Sequence, residues 1–427
     1  MGFMEDVLGS VKLPKIIKAQ RYFVDDTVHD LDKYIAEQLN SIEEFKSILP
    51  GQRIAITSGS RQISRLPEVT RIVVDALKKK GADPFIIPAM GSHGGATARG
   101  QEEMLRGLGI CEETVGAPVC SSMEVDLIGT ALDGRPVYID HIANQADGII
   151  LINRVKAHTS FRGPYESGLM KMMAIGLGNQ KGAQHYHQTG FGEMSRVVEE
   201  VGKEVLKKAK ISFGVALIEN GNGKLADAVC IAPKDIPECE KKLLVRANEY
   251  LPKIFVKDID VLIIKEIGKN ISGTGMDCNI IGRFNEDSTF EADTHIKRIA
   301  VLDLTDVSHG NANGVGRADF ITKRLYDKIS LEQTYPNAIT STATISVKIP
   351  MILKDDKMAI SACIKTSTLR HPEEARCVII ENTKNMNTFY ISENLIGEAK
   401  MRGVEIVGEP IEIPFDQDGR INLDFTH

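Results

Sequence analysis

Between residues 50 and 220, short apolar runs alternate with stretches whose apolar residues recur at helical spacing. This alternation restricts that part of the chain to parallel strands joined by crossover helices. Arg53–Thr57 reads as a strand. Leu66–Lys80 reads as a helix, with Val69, Ile72, Val73, Ala76 and Leu77 on one face and Gly81 as its stop. Pro84–Pro88 follows as a strand, Gly100–Leu108 as a helix and Gly148–Ile152 as a strand. Glu193–Lys210 is a further helix and Ser212–Leu217 a further strand. The expected result is a Rossmann-like parallel-sheet domain.

A second core begins near Asp258. Val261–Lys265, Arg298–Asp303, Met358–Ile364 and Cys377–Glu381 read as strands, and Ser392–Met401 as a helix. Pro252 and the charged residues before Asp258 mark the junction. A chain of 427 residues is long for one core and suits two or three. The expectation is therefore an α/β protein of two domains, residues 1–257 and 258–427. The active site is expected in the cleft between them, with the second domain closing over it and excluding water.

Composition narrows the function classes. The net charge, 52 − 58 = −6, comes without a basic block, which argues against nucleic acid as the main partner. Seven cysteines with no CxxC pair suggest reduced thiols. Residues 1–20 lack a signal-peptide pattern, and no apolar run approaches the ~18–20 residues that cross a bilayer. Asp6 breaks the myristoylation pattern of the Met1-Gly2 start. A cytoplasmic protein with no membrane partner is expected.

In parallel sheets, ligand sites form where strands run out into loops. Three such loops stand out: Ser58-Gly-Ser-Arg61, Gly91-Ser-His-Gly-Gly95 and Asn153-Arg-Val-Lys-Ala-His-Thr159. If the strands are parallel, all three leave the same sheet edge, and Arg61, His93 and His158 converge. Each also has a plainer reading, as a helix cap, a turn histidine and a satisfied structural histidine. A pair of histidines at two strand ends suits an acid and a base. Arg61, beside two hydroxyls, suits a carboxylate or a phosphate.

Lys171 lies in the run Ser167-Gly-Leu-Met-Lys-Met-Met-Ala-Ile-Gly176, a single amine among apolar side chains. Such an amine either finds a partner or loses its proton and becomes nucleophilic. Met170, Met172 and Met173 read as core packing. His185 and His187 follow; two residues apart on a helix they point apart, so together they make a poor closed metal site. Neither the Gly91 nor the Gly176 glycine cluster fits a nucleotide-binding fingerprint, and there is no H-E-x-x-H.

Together these pieces resemble the nickel-pincer lactate racemase family and its 2-hydroxyacid racemase and epimerase relatives, over roughly residues 45–200. Ser58-Gly-Ser-Arg61 is similar to the family's Asp-x-Thr-Arg turn, and Gly91-Ser-His93 to its Gly-Thr-His helix entry. Val155-Lys-Ala-His158 stands at the second catalytic histidine, and Ser167-Gly-Leu-Met-Lys171 is similar to its Ser-Gly-Gly-x-Lys segment. The resemblance implies a nickel-pincer nucleotide, made by cofactor-maturation enzymes and joined to Lys171, with Arg61 and Ser58 as further cofactor contacts. It implies His187 as the nickel ligand, with His185 the near alternative.

It further implies inversion of a 2-hydroxy acid: His93 or His158 takes the hydroxyl proton while hydride leaves Cα and returns to the other face. Arg61, with Asn279 and Arg283 of a loosely matching stretch, would read the substrate. Ser58 in place of the aspartate and Leu169-Met170 beside the lysine depart from the family pattern and bear on which acid is the substrate. The residues themselves also admit a pincer-independent lyase or hydratase using the histidines and Lys171, or a non-catalytic protein that binds an anionic metabolite.

Overall fold

A computed structural model of the chain describes residues 2–285, 288 and 290–426. Met1, part of the Met1-Gly2 start considered above, lies outside them. The chain forms two compact units, one of residues 24–251 and the other of residues up to 23 together with those from 252 onward.

The 24–251 unit is built on a five-stranded sheet in the order Asp83–Pro88, Arg53–Ser58, Gly148–Arg154, Ile211–Glu219, Leu225–Ile231. The first four strands run parallel and the last pairs antiparallel to Ile211–Glu219. The middles of these runs are largely apolar because helices cover both faces of the sheet: Ile149 to Ile152 are each at most 1% exposed. The helix Leu66–Lys79 makes the crossover between the first two strands, with Pro67 in its first turn. Its buried face holds Leu66, Val69, Ile72, Val73 and Leu77, as the periodicity requires. Gly81 at φ +79° then turns the chain into the next strand. Each fully buried Leu or Ile of this face contributes roughly 1.5–3 kcal/mol.

The other unit carries an eight-stranded mixed sheet in the order Met351–Leu353, Phe320–Thr322, His295–Leu304, Asp258–Ile267, Cys377–Ile380, Thr388–Ser392, Ile16–Gln20, Glu405–Ile411. Two features differ from the sequence expectation. Met358–Ile364 is not a strand but lies inside the helix Asp356–Thr366. Asp355 caps that helix, its carboxylate accepting the Met358 N–H at 2.8 Å. A short run buried all round, here Ala359 to Ile364, carries no period that separates strand from helix. The second difference is the N-terminal strand. Ile16–Gln20 pairs antiparallel with both Thr388–Ser392 and Glu405–Ile411, so residues up to 23 join this unit rather than the 24–251 unit. Ile16, Ile17 and Ala19 gain burial of 2% exposure or less by doing so.

No helix among the described residues is long and apolar enough to cross a membrane. The seven cysteines are all free thiols.

Candidate active site

The parallel pairing of Arg53–Ser58, Asp83–Pro88 and Gly148–Arg154 brings their C-terminal ends to one edge, as the three-loop argument requires. The loop after Gly148–Arg154 is held as it leaves the sheet. The Asn153 amide donates to the Gly168 carbonyl at 2.8 Å, and Lys156 and Ser167 exchange backbone hydrogen bonds at 2.9 and 3.1 Å. This clamp joins the His158 loop to the segment that carries Lys171. From Gly168 the chain runs through the helical turn Leu169–Lys171, a π-helical turn Met172–Gly176 and the helix Asn179–His187. The Leu177 N–H reaches back five residues to the Met172 carbonyl at 2.9 Å. Met170, Met172 and Met173 pack into the core, as expected. Such π turns inside helices occur often at functional sites.

His93 sits on a loop whose glycines 91, 94 and 95 all take positive φ, which other residues rarely adopt. Gln101, fully buried on the helix Ala98–Gly107, donates to the carbonyls of Gly91 at 2.9 Å and His93 at 3.3 Å. The His93 Nδ1 meets the Ser60 hydroxyl, so the first two loops are joined directly. The same loop rests on the π turn, where the Gly91 N–H donates to the Gly176 carbonyl at 3.3 Å. A Cβ at Gly176 would lie 2.5 Å from the Ala89 carbonyl oxygen. Gly176→Ala must therefore move backbone; we expect a loss of about 1–3 kcal/mol in urea unfolding of the purified protein. An unchanged midpoint would show that the contact relaxes freely.

Lys171, His158 and His187 gather around two aromatic rings. The Lys171 amine stands 5.7 Å from the Phe161 ring centre, and the His158 ring lies tilted against Phe161 at 4.3 Å between ring centres. Phe191 lies 6.3 Å from His158 and 6.2 Å from His187. Desolvation, followed by repulsion from Arg61, lowers the Lys171 ammonium to about 7 against the pull of Glu166, with a smaller push from Lys156. The amine is therefore substantially neutral at physiological pH. Desolvation first, then the cations Lys171 and Lys156, hold His158 well below the usual imidazole range. Desolvation also lowers His187, opposed by its bond to the Ala183 carbonyl.

The hydrogen bonds fix which ring nitrogen of each histidine is available. In His187, Nδ1 must donate to the Ala183 carbonyl at 2.7 Å, which leaves the Nε2 lone pair free. His158 is the reverse: its Nδ1 accepts the Ser160 N–H at 3.0 Å, so the neutral ring carries its proton on Nε2. His187 thus presents a free Nε2 lone pair and His158 an Nε2–H donor. His185 is exposed and lies edge-on to Tyr186. Among the described residues, no group of three or more His, Cys, Asp or Glu is placed to hold a metal ion. A metal here would need most of its donors from an organic partner, and the residues fit that arrangement: one free imidazole and one neutral amine.

Arg61 keeps solvent-exposed surface although crowding and the nearby Arg154 pull its guanidinium down; with that access it remains charged. Ser58 is the last residue of its strand, 1% exposed, and its buried hydroxyl has no hydrogen-bond partner. Glu166, 3% exposed, organises the His158 loop by accepting the His158 N–H at 2.7 Å. Asn279 and Arg283 belong to the other unit. Asn279 donates to Asp277 at 2.9 Å, and Arg283 donates to the Arg317 carbonyl at 2.6 Å and to Asp319 at 2.7 Å. Gln101, Phe161, Glu166 and Phe191 escaped the sequence reading, as did the pairing of Ser60 with His93, because it weighed residues by type at strand ends and had no signal for partners on other elements.

Residues 9–198 match the family model of the lactate racemase N-terminal domain. No curated protein sequence matches the chain. Among solved structures, the chain is similar to the lactate racemase apoprotein from Thermoanaerobacterium thermosaccharolyticum. That likeness has 15% identity and a TM-score of 0.52, covering 86% of this chain and 98% of that one. It is also similar to a protein from Thermotoga maritima, at 12% identity and a TM-score of 0.50, covering 76% of this chain and 84% of that one. At these identities the structural likenesses speak for the two-unit α/β fold.

Proposed function

We propose, starting from a chain whose residues 9–198 match the lactate racemase N-terminal domain model, that this protein inverts the carbinol carbon of a 2-hydroxy acid with the help of a nickel-pincer nucleotide held through Lys171. The observation that carries the reading is the pairing of a neutral amine at Lys171 with a free Nε2 on His187, on two helical segments separated by the left-handed Asn179. When bound, the cofactor would supply a hydride acceptor, which the side chains themselves lack. Lys171 would hold it covalently and the His187 imidazole would donate to its nickel. Ser58, with its unpartnered hydroxyl, is a further cofactor contact in this reading.

The rest of the chemistry belongs to the chain's own groups. Arg61 would take the substrate carboxylate, for which its fork of donors is suited. His93 and His158, on separate loops, would exchange the hydroxyl proton from opposite sides of the substrate. If Arg283 and Asn279 also read the substrate, Arg283 must exchange Asp319 for the incoming carboxylate. Incubating the loaded protein with single enantiomers of short-chain, dicarboxylic and sugar 2-hydroxy acids, followed by chiral chromatography, tests the activity. Inversion of at least one acid is expected; none across the panel, from protein shown to carry nickel, would count against it.

His187→Ala separates the metal from the covalent anchor. It should leave Lys171 modified while the nickel content after dialysis falls about tenfold or more, since the imidazole donor is lost. His185→Ala should leave nickel unchanged. The reverse pattern would reassign the ligand.

The depressed Lys171 ammonium also favours a second reading, a pincer-independent lyase or hydratase in which Lys171 forms a Schiff base with a carbonyl substrate. Borohydride trapping of a substrate-derived mass on Lys171 would select it.

A further inference from the structure

Glu240, on the helix Ile236–Tyr250, is fully buried in the 24–251 unit, and among the described residues no cation pairs with it. Its Oε2 accepts two backbone N–H groups, from Leu169 at 2.7 Å and Met170 at 3.0 Å. These belong to the short turn that ends in Lys171. Its other oxygen, Oε1, has no hydrogen-bond partner and faces Gly168, where a Cβ would collide with it. The same glycine's carbonyl accepts from Asn153 on one side and from the Met172 N–H on the other. The turn is thus fastened from the sheet by Asn153 and from the outer helix by Glu240.

A carboxylate is an expensive choice for a position enclosed by apolar groups. Desolvation pushes it up to about 7, and only the two backbone N–H groups oppose that rise; no charged group acts on it. Leu or Met would fill the space without that penalty, but neither could satisfy the two N–H groups at once.

We propose that Glu240 is a positioning residue: by capping the Leu169–Met170 amides it sets the rotation of the turn and so the direction in which the Lys171 amine is presented. The proposal rests on Lys171 being the reactive amine of the reading above, and it concerns the chain before any cofactor is attached. It also links the two groups through the backbone. A proton taken up on the unpartnered Oε1 leaves Oε2 accepting both N–H groups, so the cap persists into the acid range in which the amine itself is protonated.

Labelling of the unloaded protein with trinitrobenzenesulfonate, read by peptide mass spectrometry, tests this, with the exposed Lys79 as internal reference. Glu240→Ala, which leaves both amides without an acceptor, should slow labelling of Lys171 relative to Lys79 by about tenfold or more. Glu240→Gln keeps an acceptor oxygen and should restore labelling above neutrality to within about threefold of the parent. Below neutrality the parent and Glu240→Gln rates should fall together, because the protonated acid and the amide both keep one acceptor oxygen and only the Lys171 amine titrates. Should the alanine variant fail to fold, Glu240→Asp, one methylene short of the two amides, should show the same slowing. An alanine or aspartate variant that labels at the parent rate, or a glutamine variant as slow as alanine, would overturn the proposal. A protein that passes this test but never carries cofactor on Lys171 would sink the assignment of Lys171, not that of Glu240.

Discussion

Replacing either His93 or His158 with alanine is expected to leave Lys171 modification and nickel content unchanged while turnover falls by roughly 10²–10⁴-fold, the range for a positioned general acid or base. Neither ring is in the set proposed to hold the cofactor, so cofactor loading and turnover should separate. The two effects should also be unequal between the directions of the reaction. His93 Nδ1 faces the Ser60 hydroxyl, which can either donate or accept, so both neutral tautomers of His93 are satisfied. His158 Nδ1 faces a backbone N–H, which only donates, so its neutral ring is held with the proton on Nε2. To take a proton at Nε2, His158 would have to give up the Ser160 bond. Initial rates measured from each pure enantiomer, for each variant, check this. Loss of nickel in both variants alongside activity would show that these histidines are structural or ligating instead.

Lys171→Ala should abolish covalent attachment and with it all turnover above background. Lys171→Arg should do the same, because a guanidinium keeps its charge and offers no neutral amine. The parent protein has a sign that can be checked directly. A lysine lowered to about 7 becomes nucleophilic as the pH rises through that value. Labelling of Lys171 in the unloaded protein should therefore rise through neutrality and level off above it, whereas an exposed lysine keeps gaining rate up to its ordinary range of about 10.4. Arg61→Ala should raise the Lys171 midpoint, since the Arg61 charge is the second-largest cause holding it down. An unmoved midpoint would place the cause in burial alone.

Much of the 24–251 unit was legible in the sequence because its strands are buried on both faces and its helices carry a clear 3.6-residue stripe, as in Leu66–Lys79. That the loops carrying Arg61, His93 and His158 leave one sheet edge followed from strand direction alone. Two kinds of information were not legible. One was the sheet position of Ile16–Gln20, whose partners lie more than 350 residues away in sequence and leave no local trace. The other was the support around the site. Ser60 at His93, Gln101 beneath the Gly91 loop and Glu240 beneath Lys171 are ordinary polar residues until folding brings them against backbone groups. Met358–Ile364 failed for a third reason: a short run buried all round satisfies strand and helix alike, and only Asp355 just ahead of it marked a helix start.

The central claim is that Lys171 carries the cofactor. Co-expression with pincer-making enzymes, digestion and mass measurement of the peptide containing Lys171 test it most directly, with an established lactate racemase loaded in the same cells as the positive control. The account predicts a cofactor-sized mass increase on Lys171 and nickel near one per chain in the intact protein. An unmodified Lys171 peptide without nickel, in cells where the control protein is fully loaded, would contradict it.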